Sequence, residues 1–173
     1  MKPDLNRYIQ LLEKAPVVLS DLLKDLPNEL TRSNEGENTW SPFEIVRHLI
    51  EGEKTDWMIR IKIILSDNED RSFESFDRFA QITDSKDKSI EELLDIFRHL
   101  RKDNLRVLSE LDPGEKDWER EGIHPDFNKV TLSELLSAWV VHDLNHIAQI
   151  TRVIAGQYKN SVGPWIEFLP ILK

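Results

Sequence analysis

Apolar residues recur at helical spacing in four long segments, and no segment shows a convincing alternation of apolar and polar residues that would indicate a strand. The first segment covers about residues 3–26, and we expect Pro16 to kink or interrupt it because proline removes a backbone donor. Ser41 and Glu44 form a capping-box pattern ahead of a second helix that reaches about residue 65. The pattern predicts an all-α fold.

The third and fourth segments carry their own start and stop signals. Ser89 is predicted to cap a third helix that ends at the Asp-Pro-Gly sequence of residues 112–114. Thr131 and Glu134 form another capping box, and the apolar repeat of the fourth helix continues to about Ala155, where Gly156 is expected to stop it. The tail offers a short docking segment with the apolar residues Trp165, Phe168, Leu169 and Leu172.

Long loops connect these helices. The polar stretch 66–88 contains Phe and Ile residues, so we expect it to lie against the bundle. The chain has 173 residues and 39% apolar content, and it shows no internal repeat or low-complexity region. These features predict a single domain over residues 1–173.

Charge and composition exclude several classes of partner and of chemistry. The net charge of −9 opposes binding to nucleic acid or an anionic membrane, because such partners are held by Lys and Arg. The chain has no cysteine, which excludes disulfides, thiolate metal ligands and a cysteine nucleophile. Neither a signal-peptide pattern nor an apolar run of about 20 residues occurs, so we expect a cytoplasmic protein.

Two histidines interrupt the apolar stripe of the fourth helix, in the sequence HDLNHIAQI. At 100° per residue, His142 and His146 lie about 40° apart and both face the other helices. A buried imidazole requires a hydrogen bond, an ionic partner or a metal ion. One divalent transition metal ion satisfies both rings, since side chains at positions i and i+4 of a helix are neighbours. Ordinary hydrogen bonds in a protein core remain the alternative.

A metal site normally needs a third protein ligand. His48 is the best candidate because it lies within the second helix, whereas His99 falls off the apolar face of the third helix and His124 lies in a loop. The spacing does not match the HExxH pattern of zincins or the paired ExxH motifs of ferritin-like bundles. A site of three histidines is the metal pattern that remains.

Two further polar residues are candidates for a catalytic role. Glu44 shares the His48 face of the second helix, and Gln149 projects inward from the fourth. Either could orient a substrate or act beside a metal-bound group. The alternative for both is an ordinary helix residue, as a cap in the case of Glu44.

The motifs TWSPFEIVRHLIEGE, VTLSELLSAWVVHDLNHIAQITRVIAGQY and VGPWIEFL together resemble the DinB-like superfamily, and the similarity covers essentially the whole chain. The resemblance implies a four-helix bundle with up-down-down-up connection, commonly dimeric, with a short C-terminal docking segment. It also implies that His48, His142 and His146 bind a nickel or zinc ion.

Three functions remain open, and the first two follow from the resemblance. The first hypothesis is a metal-dependent S-transferase, in which a low-molecular-weight thiol of the bacillithiol type attacks a small electrophile as a thiolate. The second is a metal-dependent hydrolase that uses a metal-bound water. The third is a non-catalytic helical bundle with a binding or stress role. A small-molecule substrate is expected. A homodimer is also expected, because Trp57, Met58 and Ile61 would form an exposed apolar face of the second helix; the alternative is that these residues lie under the long loops.

Overall fold

The computed structural model describes residues 2–76 and 87–173 of the chain. Its α-helices are α1 (Leu5–Leu12), α2 (Lys14–Leu23), α3 (Asn28–Arg32), α4 (Pro42–Thr55), α5 (Trp57–Leu65), α6 (Ile90–Leu111) and α7 (Leu132–Gln157). A two-stranded antiparallel sheet is formed by β1 (Glu121–His124) and β2 (Asn128–Thr131). Two 3-10 helices follow α7, Gly163–Phe168 and Pro170–Leu172.

The predicted four-helix bundle is confirmed, with α1–α2, α4–α5, α6 and α7 as its members. The hydroxyl of Tyr8 lies 3.0 Å from that of Ser137, so α1 and α7 begin at the same end of the bundle. Leu23, Phe43, Ile90 and Ile150 share one core cluster at the other end, where α4 and α6 begin and α2 and α7 end. This arrangement is the up-down-down-up connection.

Two apolar clusters fill the bundle, and polar residues separate them. One cluster surrounds Trp139 and Ile61, and the other surrounds Phe97 and Leu19. Trp57, Met58 and Ile61 are all buried in the first cluster, so they present no exposed face for a second copy of the chain. The homodimer therefore stays a prediction without that support.

The first predicted helical segment is interrupted, but the break lies upstream of Pro16 and not at the proline itself. The helix breaks at Glu13, and Pro16 lies inside α2 as a buried residue. Because proline has no N–H, the carbonyl of Leu12 loses its helical donor. The guanidinium of Arg101 replaces that donor, with Nη1 2.7 Å from the Leu12 oxygen.

The two predicted capping boxes and the predicted cap at Ser89 are confirmed, and Ser89 also forms a capping box with Glu92. Three other expectations need correction. Residues 121–131 form a hairpin rather than a loop, held through Phe73 N–H, which donates to the Ile123 carbonyl at 2.8 Å. Gly156 does not stop the last helix, which continues to Gln157. The second helix is divided at Asp56, where the backbone adopts φ −120 and ψ −79.

The C-terminal segment docks on α7 through Leu172, which is 7% exposed. Trp165 and Phe168 were expected to dock as well, but they are 69% and 81% exposed. Phe73 of the long polar connection is buried and Phe76 is half-buried, as expected, and the other Phe and Ile residues of that stretch lie within residues 77–86, outside the described part of the chain. No helix in residues 2–76 and 87–173 combines the length and apolar character that a transmembrane segment needs.

Candidate metal centre

His48, His142 and His146 meet in the interior of the bundle, where α4 faces α7. Nε2 of His142 lies 3.0 Å from Nε2 of His48 and 3.1 Å from Nε2 of His146. His48 and His146 are 6% and 7% exposed, and His142 is partly buried. The structure thus brings together the three histidines that the sequence predicted as metal ligands.

The ring of His146 is oriented by Gln149. Nδ1 of His146 lies 2.9 Å from Oε1 of Gln149 and must carry the proton, because a carbonyl oxygen only accepts. Nε2 of the neutral ring is therefore unprotonated and directs its lone pair toward the other two histidines. A hydrogen bond to the far nitrogen is the usual support of a metal-binding imidazole.

The electrostatic surroundings keep the imidazoles of His142 and His146 neutral. Burial lowers the pKa of His142 to about 3, and the neighbouring His146, His48 and Arg101 act in the same direction. Burial also lowers the pKa of His146, although the bond to Gln149 opposes this shift. Neutral imidazole is the form that binds metal ions.

The geometry fits a divalent transition metal ion. Two nitrogens that bind one ion at about 2.0 to 2.1 Å are separated by about 3 to 3.5 Å. The observed separations of 3.0 and 3.1 Å agree with this range, and the possible ligand atoms of all three histidines lie within 4.8 Å of one another. Nε2 of His146, whose proton lies on Nδ1, presents a lone pair toward Nε2 of His142, as a metal ligand would.

Aromatic side chains enclose the three rings. Trp40 packs on His48 with ring centroids 4.9 Å apart, and Trp57 meets the edge of His142 at 5.1 Å. A Cβ at Gly52 would lie 3.0 Å from Nε1 of Trp57, so the absence of a side chain there lets the indole cross α4. These walls limit the access of water to the histidines.

A cavity of about 540 Å³ opens beside the histidines. One wall comes from α4 and α5, where residues four apart face the cavity, and the opposite wall comes from α7. The hairpin closes the far end with His124 and Phe127. Sequence reasoning placed His124 in a loop and set it aside as a metal ligand, and the structure places it in the cavity lining, away from the three-histidine cluster.

A buried ionic network lies directly behind His142. Arg101 of α6 binds Asp143 through two contacts of 2.5 and 3.1 Å and Glu53 of α4 at 2.8 Å. Trp139 donates its indole N–H to Glu53 at 3.2 Å. Sequence reasoning missed this network and placed Asp143 at the margin of the apolar face. The signal available was charged residues within otherwise apolar helix faces.

The two predicted catalytic residues lie outside the cavity lining. Oε2 of Glu44 accepts from the backbone N–H and the hydroxyl of Ser41, both at 2.8 Å, and so caps α4. Gln149 contacts the side of the His146 ring that faces away from the other histidines. These positions indicate that Glu44 caps a helix and that Gln149 orients the ring of His146. Catalytic roles for both residues stay predictions.

Comparison with known proteins agrees with this architecture. A protein of Oceanobacillus iheyensis named "Putative metal-dependent hydrolase OB0782" is 25% identical over 151 residues, 86% of this chain and 85% of that protein. "Putative metal-dependent hydrolase YfiT" of Bacillus subtilis is 24% identical over 155 residues, 88% of this chain and 85% of that protein.

The solved structure of YfiT, described as having an unusual four-helix bundle topology, matches with a TM-score of 0.72 at 20% identity. The match covers 91% of this chain and 93% of YfiT, and it shows that the two share a fold. The profile of the DinB superfamily matches residues 11–150, which is well over half of the chain. The protein therefore belongs to the DinB superfamily.

Proposed function

We propose that the protein is a metal-dependent hydrolase of small molecules, in which His48, His142 and His146 hold a divalent metal ion. The observation that carries the proposal is the convergence of three Nε2 atoms, 3.0 and 3.1 Å apart, beside a cavity of about 540 Å³. That volume is typical of a small-molecule site. The names of the relatives from Oceanobacillus iheyensis and Bacillus subtilis support hydrolysis as the reaction class.

The protein's own residues create the conditions for this chemistry. When bound, a divalent ion supplies Lewis acidity, which polarises a substrate carbonyl and makes water or a thiol a better nucleophile at neutral pH. The three imidazoles add no charge of their own, so a cation held there keeps its full attraction for oxygen or sulfur lone pairs. Gln149 holds the tautomer of His146, and the aromatic walls lower the local dielectric constant and strengthen that attraction.

Transfer to a thiol is the second candidate function. The cavity of about 540 Å³ is large enough for two small molecules, such as a thiol of the bacillithiol type and an electrophile. The chain has no cysteine, so the sulfur nucleophile would have to come from such a co-substrate. Histidine nitrogens suit both zinc and nickel, the metals proposed for either reaction.

Metal analysis and turnover distinguish these functions. We expect natively purified protein to contain about one equivalent of zinc or nickel and the His142→Ala variant to contain almost none. His99→Ala is the matched control, because His99 is an exposed histidine of α6 outside the site. A set of chromogenic esters, amides and electrophiles is then assayed with and without thiols.

Metal-dependent cleavage without thiol supports the hydrolase. Turnover that requires a thiol overturns hydrolysis in favour of the transferase. Protein that binds no metal and shows no metal-dependent turnover contradicts both and supports a non-catalytic bundle.

A further inference from the structure

The cavity carries a second charged group away from the histidines, at the junction of α4 and α5. Oδ1 of Asp56 lies 2.6 Å from Nε of Arg60, and both residues line the cavity. Their side chains are only 11% and 9% exposed. Asp56 precedes α5 but its side chain makes no capping hydrogen bond, so its carboxylate serves the ion pair and not the helix.

Among the residues that the structure describes, this ion pair leaves most of its hydrogen-bonding capacity unused. Arg60 contacts Asp56 through Nε, and within residues 2–76 and 87–173 no hydrogen bond reaches its Nη1 or Nη2, or Oδ2 of Asp56. Both residues line the cavity, and none of these three atoms is fully buried, so a molecule in the cavity can reach them. A ligand in the cavity would supply the missing partners.

An aromatic ring also contacts the guanidinium of Arg60. Cζ of Arg60 lies 5.2 Å from the centroid of the Phe73 ring, within the range of a cation–π contact. The guanidinium is therefore held by Asp56 on one side and by Phe73 on another. A planar group held in this way is suited to bidentate recognition of a carboxylate.

The other titratable groups at this end of the cavity are hydrogen-bonded to other residues, uncharged or exposed to solvent. Glu134 is exposed and accepts from the backbone N–H and the hydroxyl of Thr131 in the cap of α7. Burial and nearby Arg60 lower the pKa of His124, so its ring is neutral at pH 7. Asp126 is exposed. Asp56 and Arg60 therefore supply the buried charges at this end of the described cavity.

We propose that Asp56 and Arg60 bind the ammonium and carboxylate groups of an amino-acid-type substrate. Oδ2 of Asp56 would accept from the ammonium, and Nη1 and Nη2 of Arg60 would donate to the carboxylate. The two residues act as a specificity site for a small molecule. That the reacting bond of this molecule lies at the three histidines rests on the proposed function.

A zwitterion matches the pair better than a single charge does. A lone carboxylate would bind Arg60 but would be repelled by Asp56, and a lone amine would meet the opposite conflict. A net-neutral ligand with both charges forms charge-assisted hydrogen bonds to each side, and these are about twice as strong as neutral ones. The buried site then contains four paired charges and no excess charge.

The position of the pair constrains the length of the substrate. Asp56 follows His48 by eight residues, or roughly 12 Å at 1.5 Å per helical residue. The cavity wall between the two ends includes Trp57, Leu135 and Ala138. The ligand class is therefore an amino acid whose long, extended side chain carries the reacting bond, as an acyl group does on the side-chain nitrogen of lysine.

Calorimetric titration with Nε-acetyl-L-lysine tests this inference. We expect the probe to bind and expect its methyl ester and its Nα-acetyl derivative, which each lack one charge, to bind at least about tenfold more weakly. These comparisons use the unaltered protein and do not depend on any variant folding correctly. Detectable binding is required at a probe concentration of about 10 mM or below.

Variants connect the binding to the ion pair. Arg60→Gln is expected to weaken binding of the probe at least about tenfold, and Arg60→Lys to recover part of it because the charge remains without the planar fork. Asp56→Asn should abolish the preference for the free ammonium group over the Nα-acetyl derivative. Arg152→Gln is the control, since Arg152 forms a half-exposed ion pair with Glu35 outside the cavity.

The outcomes separate this inference from the proposed function. Binding that persists in His142→Ala, which lacks a metal ligand, would support the head-group site even if no metal-dependent reaction were found. Equal binding of all three lysine derivatives, no binding at about 10 mM, or equal losses in Arg60→Gln and Arg152→Gln would overturn it. In those cases Asp56 and Arg60 form a structural ion pair.

Discussion

Replacing Arg101 with methionine should destabilise the protein severely, because one guanidinium satisfies three groups in the interior. Arg101 is 1% exposed and contacts the carboxylates of Glu53 and Asp143 and the carbonyl of Leu12. Methionine has a similar volume and fills the space, so the effect of the substitution comes mainly from lost charge and hydrogen bonds. Two buried carboxylates would then face each other without a cation.

The contacts set the magnitude of the loss. Removing one partner of a buried ion pair costs about 3 to 5 kcal/mol. The Leu12 carbonyl, already without its helical donor because of Pro16, would lose its replacement, which costs about 1 to 3 kcal/mol. These terms overlap, since the carboxylates can relax or take up protons, so we expect the free energy of unfolding to fall by about 4 kcal/mol.

Urea unfolding followed by circular dichroism at pH 7 measures this loss. Arg106→Met is the matched control, because Arg106 lies on the same helix, pairs with Glu110 and is 62% exposed. Its loss should stay below about 1 kcal/mol. The triple variant Arg101→Met, Glu53→Gln, Asp143→Asn should recover stability, because it removes the unpaired charges as well.

The pH dependence gives a second check on the same reasoning. Burial already raises the pKa of Asp143 in the intact protein, and loss of Arg101 should raise it further. The penalty in Arg101→Met is therefore present above this raised pKa and is relieved as the pH falls through it. A loss below about 1 kcal/mol at pH 7, or a deficit that grows toward pH 5, would refute the account of the network.

Three further predictions concern the histidines. His48→Ala should abolish binding of one zinc equivalent in a calorimetric titration, and stoichiometric binding by this variant would exclude His48 as a ligand. Gln149→Ala should weaken metal affinity about 10- to 100-fold, and Gln149→Glu should restore part of that affinity. Unchanged affinity in Gln149→Ala would show that the tautomer of His146 needs no support. In metal-free protein, the pKa of His142 is lowered from 6.5 to about 3, so between these values the unfolded chain binds a proton that the folded chain does not. As the pH falls from 6 to 4, this residue should therefore reduce the free energy of unfolding by up to about 1.4 kcal/mol per pH unit. Urea unfolding measures this slope, and a flat profile over that range would contradict the prediction.

Features that depend on a few consecutive residues were predictable. The capping boxes at Ser41 and Thr131 and the cap at Ser89 are confirmed, because such a motif needs only a hydroxyl and, for a box, a glutamate three residues later. The bounds of α6 follow from its cap and from Asp112, whose left-handed backbone at φ 42 ends the helix. The adjacency of His142 and His146 follows from helical spacing alone.

Features that depend on distant partners were not predictable. The hairpin has strands of four residues each, too short for alternation to be read, and it is held in part by backbone bonds to residues 71–73. The interruption at Asp56 coincides with its ion pair to Arg60 and carries no proline signal. Arg101, Glu53 and Asp143 come from three helices, so their mutual neutralisation is visible only once those helices are packed.

The sequence by itself determined the helical class, the helix starts and the pairing of two imidazoles on one face, because hydrogen bonding and side-chain direction repeat every turn of an α-helix. Only the tertiary structure decided that His48 lies 3.0 Å from His142, that Arg101 replaces the donor lost at Pro16, and that Asp56 and Arg60 face the same cavity as the histidines. The first two contacts join residues 94 and 89 positions apart, and the third depends on the break between two helices. Their distances are set by how side chains fill the space between helices, which no local pattern specifies.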